Sequence, residues 1–299
     1  AGSTTVTRGY DALLVTSTNV ALATSNTFRV NVTNATAPVV IDLNHDGELA
    51  YADVAMDISG DGHLDQTAWA GAGDGVLVWD KFADGVVHNN SQYAFAQYQT
   101  TANADGSAAT DLQGLAAGFD SNHDGVFNAN DAKFAEFKVW QDANQNGVSD
   151  AGEVRSLADV GISSIDLTSD GVKRNPADGV TEAGRTTATA ADGSEVLVAD
   201  AAFEYTRLAY TADAGHINLL GTGMNLDLSS FTALHGQISE VNLNGTGANT
   251  LKINLDDVLA GTTLKLQGGS DDTVALFHAE GWSQTGTSTD AGVTYNVWH

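Results

Sequence analysis

Asp120, Asn122, Asp124, Val126, Asn128 and Asp131 occupy positions 1, 3, 5, 7, 9 and 12 of a twelve-residue stretch, with Gly125 at position 6. Calcium takes six to eight hard oxygens, and a loop of this spacing supplies them from side chains and from the carbonyl at position 7. The glycine at position 6 permits the sharp turn. Asp142, Asn144, Asn146, Val148, Asp150 and Glu153 repeat the pattern around Gly147. Here position 12 is the longer Glu, which reaches the ion with both oxygens. In the first stretch the shorter Asp131 is expected to bind through one oxygen or through water.

Two earlier stretches are less complete. Asp42, Asn44, Asp46 and Glu48 lead to Asp53 at position 12. Asp57, Ser59, Asp61, His63 and Asp65 come next, with Ala68 where a closing ligand belongs. The two lie nearly end to end, so a ligand is expected to be shared or to come from elsewhere. The stretch from Asp80 to Gly85 has Phe82 at position 3 and reads as a decayed loop or a hairpin turn. Asp178, Asp192 and the run 268–272 read as turn chemistry.

The interval from Asp120 to Asp142 is too short for two helix–loop–helix units. The loops are therefore expected to act as struts in a mixed domain. Their carboxylates repel one another without a cation, so folding is expected to depend on calcium. The charge agrees: 38 Asp+Glu face 12 Lys+Arg, a net charge of −26. Such an excess opposes compaction unless cations neutralise it. It also excludes binding to nucleic acid through a basic face.

Other chemistries find little support. With no cysteine, disulfides and thiolate metal sites are excluded. The histidines form no H-E-x-x-H, and no phosphate loop or serine elbow occurs. The clustered acids are already used by the calcium spacing, so a glycosidase pair is not expected, and no enzymatic activity is. The five tryptophans and the aromatic run 91–99 read as core. No run is long and apolar enough to span a bilayer, and no membrane insertion is expected. No secretory leader is legible, and Ala1 opens inside a β-like pattern, as if cut from a longer chain.

The elements that must carry the loops read as a β-rich α+β fold. Residues 1–36 read as strands, either finishing an Ig-like repeat or packing onto the next domain. Residues 37–205 form a calcium-loop module with strands over 39–43, 75–79, 138–140 and 162–167. Its short helices are expected at 111–119, capped by Asp111, at 131–137 and at 151–159, the last stopped by Gly161. Residues 206–299 alternate apolar and polar residues over 217–220, 240–243, 250–255, 263–266, 273–277 and 294–298. They read as an all-β domain, either a sandwich or a solenoid.

The order VVIDLNHD at 39–46, AWAGAGDGVLV at 68–78, GFDSNHDG at 118–125, VWQDANQNG at 139–147 and LADVGI at 157–162 resembles the calcium-binding module of RTX proteins typified by the FrpC self-processing module. The resemblance covers about 37–205. It implies type I secretion to a calcium-rich exterior and folding on binding several calcium ions. Modules of this family cut an Asp-Pro bond just before the first loop. The matching dipeptide here is Ala37-Pro38, so cleavage is expected to be lost. The setting resembles RTX adhesins, which implies an extracellular adhesion module binding a peptide or glycan on a cell surface. The alternatives are a calcium-stiffened spacer and a self-processing module without its bond.

Overall fold

The computed structural model describes residues 34–60, 63–101, 103–213, 215–231, 234, 237–245, 247–254, 264–276, 283–290 and 293–298. All of them fall in one compact unit, Thr33–His299. The strands expected before residue 34, and Trp282, lie outside the described residues.

An 11-stranded sheet organises the first part. Its strands are β1 (Asn34–Thr36), β2 (Val39–Ile41), β3 (Tyr51–Met56), β4 (Asp65–Ala70), β5 (Gly75–Trp79), β6 (Val126–Asn128), β7 (Phe137–Trp140), β8 (Val154–Ser156), β9 (Ile162–Asp166), β10 (Val180–Ala190) and β11 (Glu195–Arg207). The main order is β6-β9-β10-β11-β2-β5-β7-β8. Its pairings are antiparallel.

The central strands are apolar at successive residues because both faces are covered. Val39, Ile41 and Leu77 enter one core with Phe127, Phe137 and Val198. Val40, Val76 and Val78 enter the other with Trp69, Tyr93, Trp140 and Phe203. Successive side chains of a strand point to opposite faces, so an unbroken run such as VVI satisfies both.

The helix α1 (Asp111–Phe119) covers the first face with Leu112, Leu115 and Phe119. Its cap is Thr110, which forms a reciprocal capping box with Gln113, and not Asp111. Asp111 is the first helical residue and is buried. Its Oδ1 accepts the Ala96 N–H at 2.6 Å. The amides of Asp111 and Leu112 donate to Asp200 of β11, each at 3.2 Å.

A Cβ on Gly114 of this helix would fall on the Phe95 carbonyl. Gly-to-Ala in a helix interior normally gains about 1 kcal/mol. Here Gly114→Ala is expected to cost about 1–3 kcal/mol through overpacking, read as a lowered melting temperature by circular dichroism.

Two expected helices are absent. Over 131–137 there is one 3-10 turn, Phe134–Glu136, after which Phe137 begins β7. Burial of Phe137 and Val139 in the first core holds that segment extended. Over 151–159, residues 154–156 form β8, paired with β7 through Val154 and Trp140. The sheet edge captures this segment, and turns complete it.

Beyond Arg207 the pairing becomes parallel. After β12 (Tyr210–Asp213), one sheet stacks β13 (His216–Leu219), β15 (Glu240–Asn242) and β17 (Lys265–Gln267). A second stacks β14 (Asn225–Asp227), β16 (Thr250–Ile253) and β18 (Thr273–Leu276). The chain alternates between the two sheets, which is a two-sheeted β-solenoid and not a sandwich. Ile217, Val241 and Leu266 align in one stack, and Leu226, Leu251 and Val274 in the other. A hairpin of β19 (Gln284–Asp290) and β20 (Val293–Trp298) comes last.

The solenoid core also takes in Ala55 and Leu64 from the first part. Ser230 Oγ donates to the Asn146 carbonyl at 2.7 Å, and Asn146 Nδ2 donates to Ser229 Oγ at 3.0 Å. The solenoid is thus fastened to the loop at 142–153.

Candidate metal centre

The acidic loops share one backbone. The non-glycine residues with left-handed φ are His45 (59°), Ala83 (55°), His123 (58°) and Gln145 (58°) among those described. Each stands at position 4 of a loop. Gly60, at the same position of the loop at 57–65, has φ 76°. At position 6, Gly47, Gly85, Gly125 and Gly147 have φ of 82°, 72°, 80° and 74°. A side chain there is strained.

Three loops also share their hydrogen bonds. The amide at position 6 donates to the Asp at position 1: Gly47 to Asp42 at 2.9 Å, Gly125 to Asp120 at 3.0 Å and Gly147 to Asp142 at 2.9 Å. The amide at position 5 donates to the Asn at position 3: Asp46 to Asn44, Asp124 to Asn122 and Asn146 to Asn144. The amide at position 7 donates to the side chain at position 5: Glu48 to Asp46, Val126 to Asp124 and Val148 to Asn146. These bonds fix the side-chain oxygens of positions 1, 3 and 5 within a single turn of backbone, and oxygens of that kind suit a hard cation.

Position 12 closes the two later loops. Asp131 accepts from Ser121 at 2.8 Å and from Asn128 at 2.9 Å, one bond to each oxygen. Glu153 accepts from Ala143 at 3.0 Å and Asp150 at 3.1 Å in the same way. Asn128 and Asp150 are the residues at position 9, and Asp150 also receives Asn144 and Asn146 Nδ2. Every expected ligand of these two loops therefore lies in its own loop.

The first loop departs from expectation. Asp53 is exposed on β3, opposite Ala68 of β4, and is not gathered with Asp42, Asn44 and Asp46. Pairing of β3 with β4 holds it in an extended strand, which prevents its return to the loop. Asp74, for which the sequence analysis gave no role, is buried beside this loop and accepts the Ala50 N–H at 2.8 Å. An acid at the end of the small-residue turn AWAGAGD was the available signal.

In the second loop Asp57, Ser59 and Asp65 come together. Asp57 Oδ1 accepts from Gly60 at 2.8 Å, and Asp65 Oδ2 from Ser59 at 3.2 Å. Asp61 lies outside the described residues. The His63 ring stacks on Tyr210 with centroids 4.4 Å apart. The doubtful stretch at 80–85 has the loop backbone, and Gly85 donates to Asp80 at 3.2 Å. Its position 3 is the exposed Phe82, and His88 at position 9 pairs with Asp84 at 2.7 Å. An imidazole stands where a ligand oxygen belongs.

Among the described residues no three His, Cys, Asp or Glu side chains form a preassembled metal group. The loops that begin at Asp42, Asp120 and Asp142 instead mix acids with Asn oxygens and a carbonyl, as calcium sites do. The electrostatics fit a cation. Buried Asp42 Oδ1 and Asp74 Oδ1 have no hydrogen-bond partner. Burial pushes the Asp142 carboxyl up to about 7, with a further push from Glu153. Burial pushes Asp74 up to about 6, helped by Asp42 and Asp46. Asp142 and Asp74 are thus held in places that disfavour their charge unless a positive ion is present.

No helix among the described residues is long and apolar enough to cross a membrane. The iron-regulated protein FrpA of Neisseria meningitidis serogroup C is 34% identical over 218 residues, covering 68% of this chain. The chain spans about a fifth of that relative, 19% of its length. The SPM domain family matches residues 39–204. That match begins at β2, ends within β11 and contains all five acidic loops. With more than half of its length matched, the chain belongs to the SPM domain family.

Proposed function

We propose that this chain is a calcium-dependent extracellular module of a type I-secreted RTX adhesin. Several calcium ions stiffen it, and it binds a peptide or glycan on a cell surface. The observation that carries the reading is the backbone and hydrogen-bond geometry shared by the loops, supported at the first of them by the buried Oδ1 atoms of Asp42 and Asp74, which have no hydrogen-bond partner. Support for a ligand role comes from a cleft of about 360 Å³ beside the loops at 57–65 and 142–153. It is lined by Asp57, Val86, His88, Tyr93, Trp140 and Val148, among others. The Tyr93 hydroxyl is buried there without a hydrogen-bond partner.

The test is a calorimetric calcium titration followed by peptide and glycan arrays, probed with calcium and with chelator. Saturable calcium uptake and a calcium-dependent hit are expected. No uptake would overturn the calcium reading. Uptake without any hit would leave a calcium-stiffened spacer.

Membership of the family also favours a comparison with self-processing. That chemistry needs a carboxyl before Pro38, and Ala37 provides none. No enzymatic reaction is proposed. Incubation with calcium is expected to leave the intact mass unchanged, and fragments ending at residue 37 would refute this.

A further inference from the structure

We propose that Asp74, and not Asp53, is the closing calcium ligand of the loop that begins at Asp42. The proposal rests on the calcium reading above and adds a ligand from outside the loop. In the two complete loops the position-12 carboxylate accepts the amides of positions 2 and 9, and the position-9 bond is the one that Asp74 reproduces. Asn128 donates to Asp131 at 2.9 Å and Asp150 to Glu153 at 3.1 Å. In the first loop position 9 is Ala50, and its amide donates to Asp74 Oδ2 at 2.8 Å.

The strand register brings the two acids together. β2 and β5 pair Val40 with Val76 and Ile41 with Gly75. One step further along this ladder Asp42 faces Asp74. Both side chains are 1% exposed, and Oδ1 of each is buried without a hydrogen-bond partner. An unpaired buried carboxylate is costly, and two facing each other are more so. A divalent cation between them removes both costs.

The turn that carries Asp74 is fitted to the loop. Gly71 donates to the Ala50 carbonyl at 2.8 Å, and Asp74 N donates to the Gly71 carbonyl at 2.9 Å. A Cβ on Gly73 would strike Asn44 Nδ2, and one on Gly71 would strike the Ala50 methyl. The turn therefore lies against positions 3 and 9 of the loop. Asp53 shares none of this.

The test compares Asp74→Asn and Asp53→Asn with the parent by calorimetric calcium titration. Asp74→Asn is expected to lose one site, or to weaken it at least tenfold, with the other sites kept. Asp53→Asn is expected to titrate like the parent. The double variant Asp42→Asn/Asp74→Asn is expected to lose the same single site. A parent-like titration for Asp74→Asn, or a lost site for Asp53→Asn, would overturn the proposal. If the parent itself takes up no calcium, the calcium reading fails first. Should Asp74→Asn not fold in calcium, Asp74→Glu decides. A changed affinity at one site supports the assignment, and an unchanged titration overturns it.

Discussion

Glu153→Gln is expected to lower the melting temperature in calcium by about 3–11 °C, and to leave it unchanged or slightly raised in chelator. The opposite signs are the point of the experiment. Glu153 closes the most complete loop and accepts hydrogen bonds from Ala143 and Asp150. Gln keeps the shape but loses one ligand oxygen and the charge. A ten- to hundredfold weaker site lowers calcium-linked stability by about 1.4–2.7 kcal/mol. Each kcal/mol moves the midpoint by roughly 2–4 °C in a domain of this size. Without calcium, relief of the repulsion between Glu153 and buried Asp142 offsets the amide bond that the Gln Nε2 cannot accept, so the net change is small. Paired melts, with calcium and with chelator, check this. An equal loss in both media would mean that Glu153 is a structural residue only.

In chelator the module is expected to be more stable at pH 5 than at pH 7.5, and in calcium the order reverses. Asp142 is pushed up to about 7 and Asp74 to about 6, against an ordinary value of 3.8. Buried Asp111 is also pushed up, first by burial and then by the charge of Asp200. A carboxyl raised in the folded state holds its proton more tightly there than in the unfolded chain. The folded state is therefore favoured at low pH, and that advantage is lost as pH rises from about 4 through 6 and 7. Each unit of such a shift corresponds to about 1.4 kcal/mol. The exposed acids lowered by their partners, Asp170 beside Arg174 and Asp84 beside His88, titrate below this window and do not cancel the trend. Calcium binds the deprotonated form, so it stabilises more at pH 7.5 than at pH 5. Melts at the two pH values in each medium give four midpoints. A chelated protein that gains stability toward pH 7.5 would refute the assignment of buried, cation-poor carboxylates.

The local parts of the loops were legible because their chemistry is local. Positions 1, 3, 5 and 6 lie within a few bonds of one another, and each requires a residue type for a physical reason. The left-handed position 4 shows why composition alone would not find them: it is His45, His123, Gln145 or Ala83, with no shared chemistry. The strand over 75–79 was legible from its apolar run. The helix at 111–119 was legible from its periodicity, although its cap moved to Thr110 because a hydroxyl with Gln113 completes a reciprocal box. Residues 151–159 read as helix by local propensity, which does not include capture by the edge of β7.

By itself the sequence determined that the chain is acidic and cysteine-free, that oxygen-rich turns repeat at a calcium spacing, and that a β-rich body carries them. Those properties come from residue type and near-neighbour geometry. The tertiary structure alone decided the rest. It chose a solenoid over a sandwich, because parallel stacking of Ile217 on Val241 and Leu266 is a contact between distant residues. It placed Asp200 at the start of α1 and Asp74 at the first loop, through strand register that no spacing within a motif encodes. It also sent Asp53 to the outside of a hairpin, since pairing across β3 and β4 fixes which way that carboxylate points.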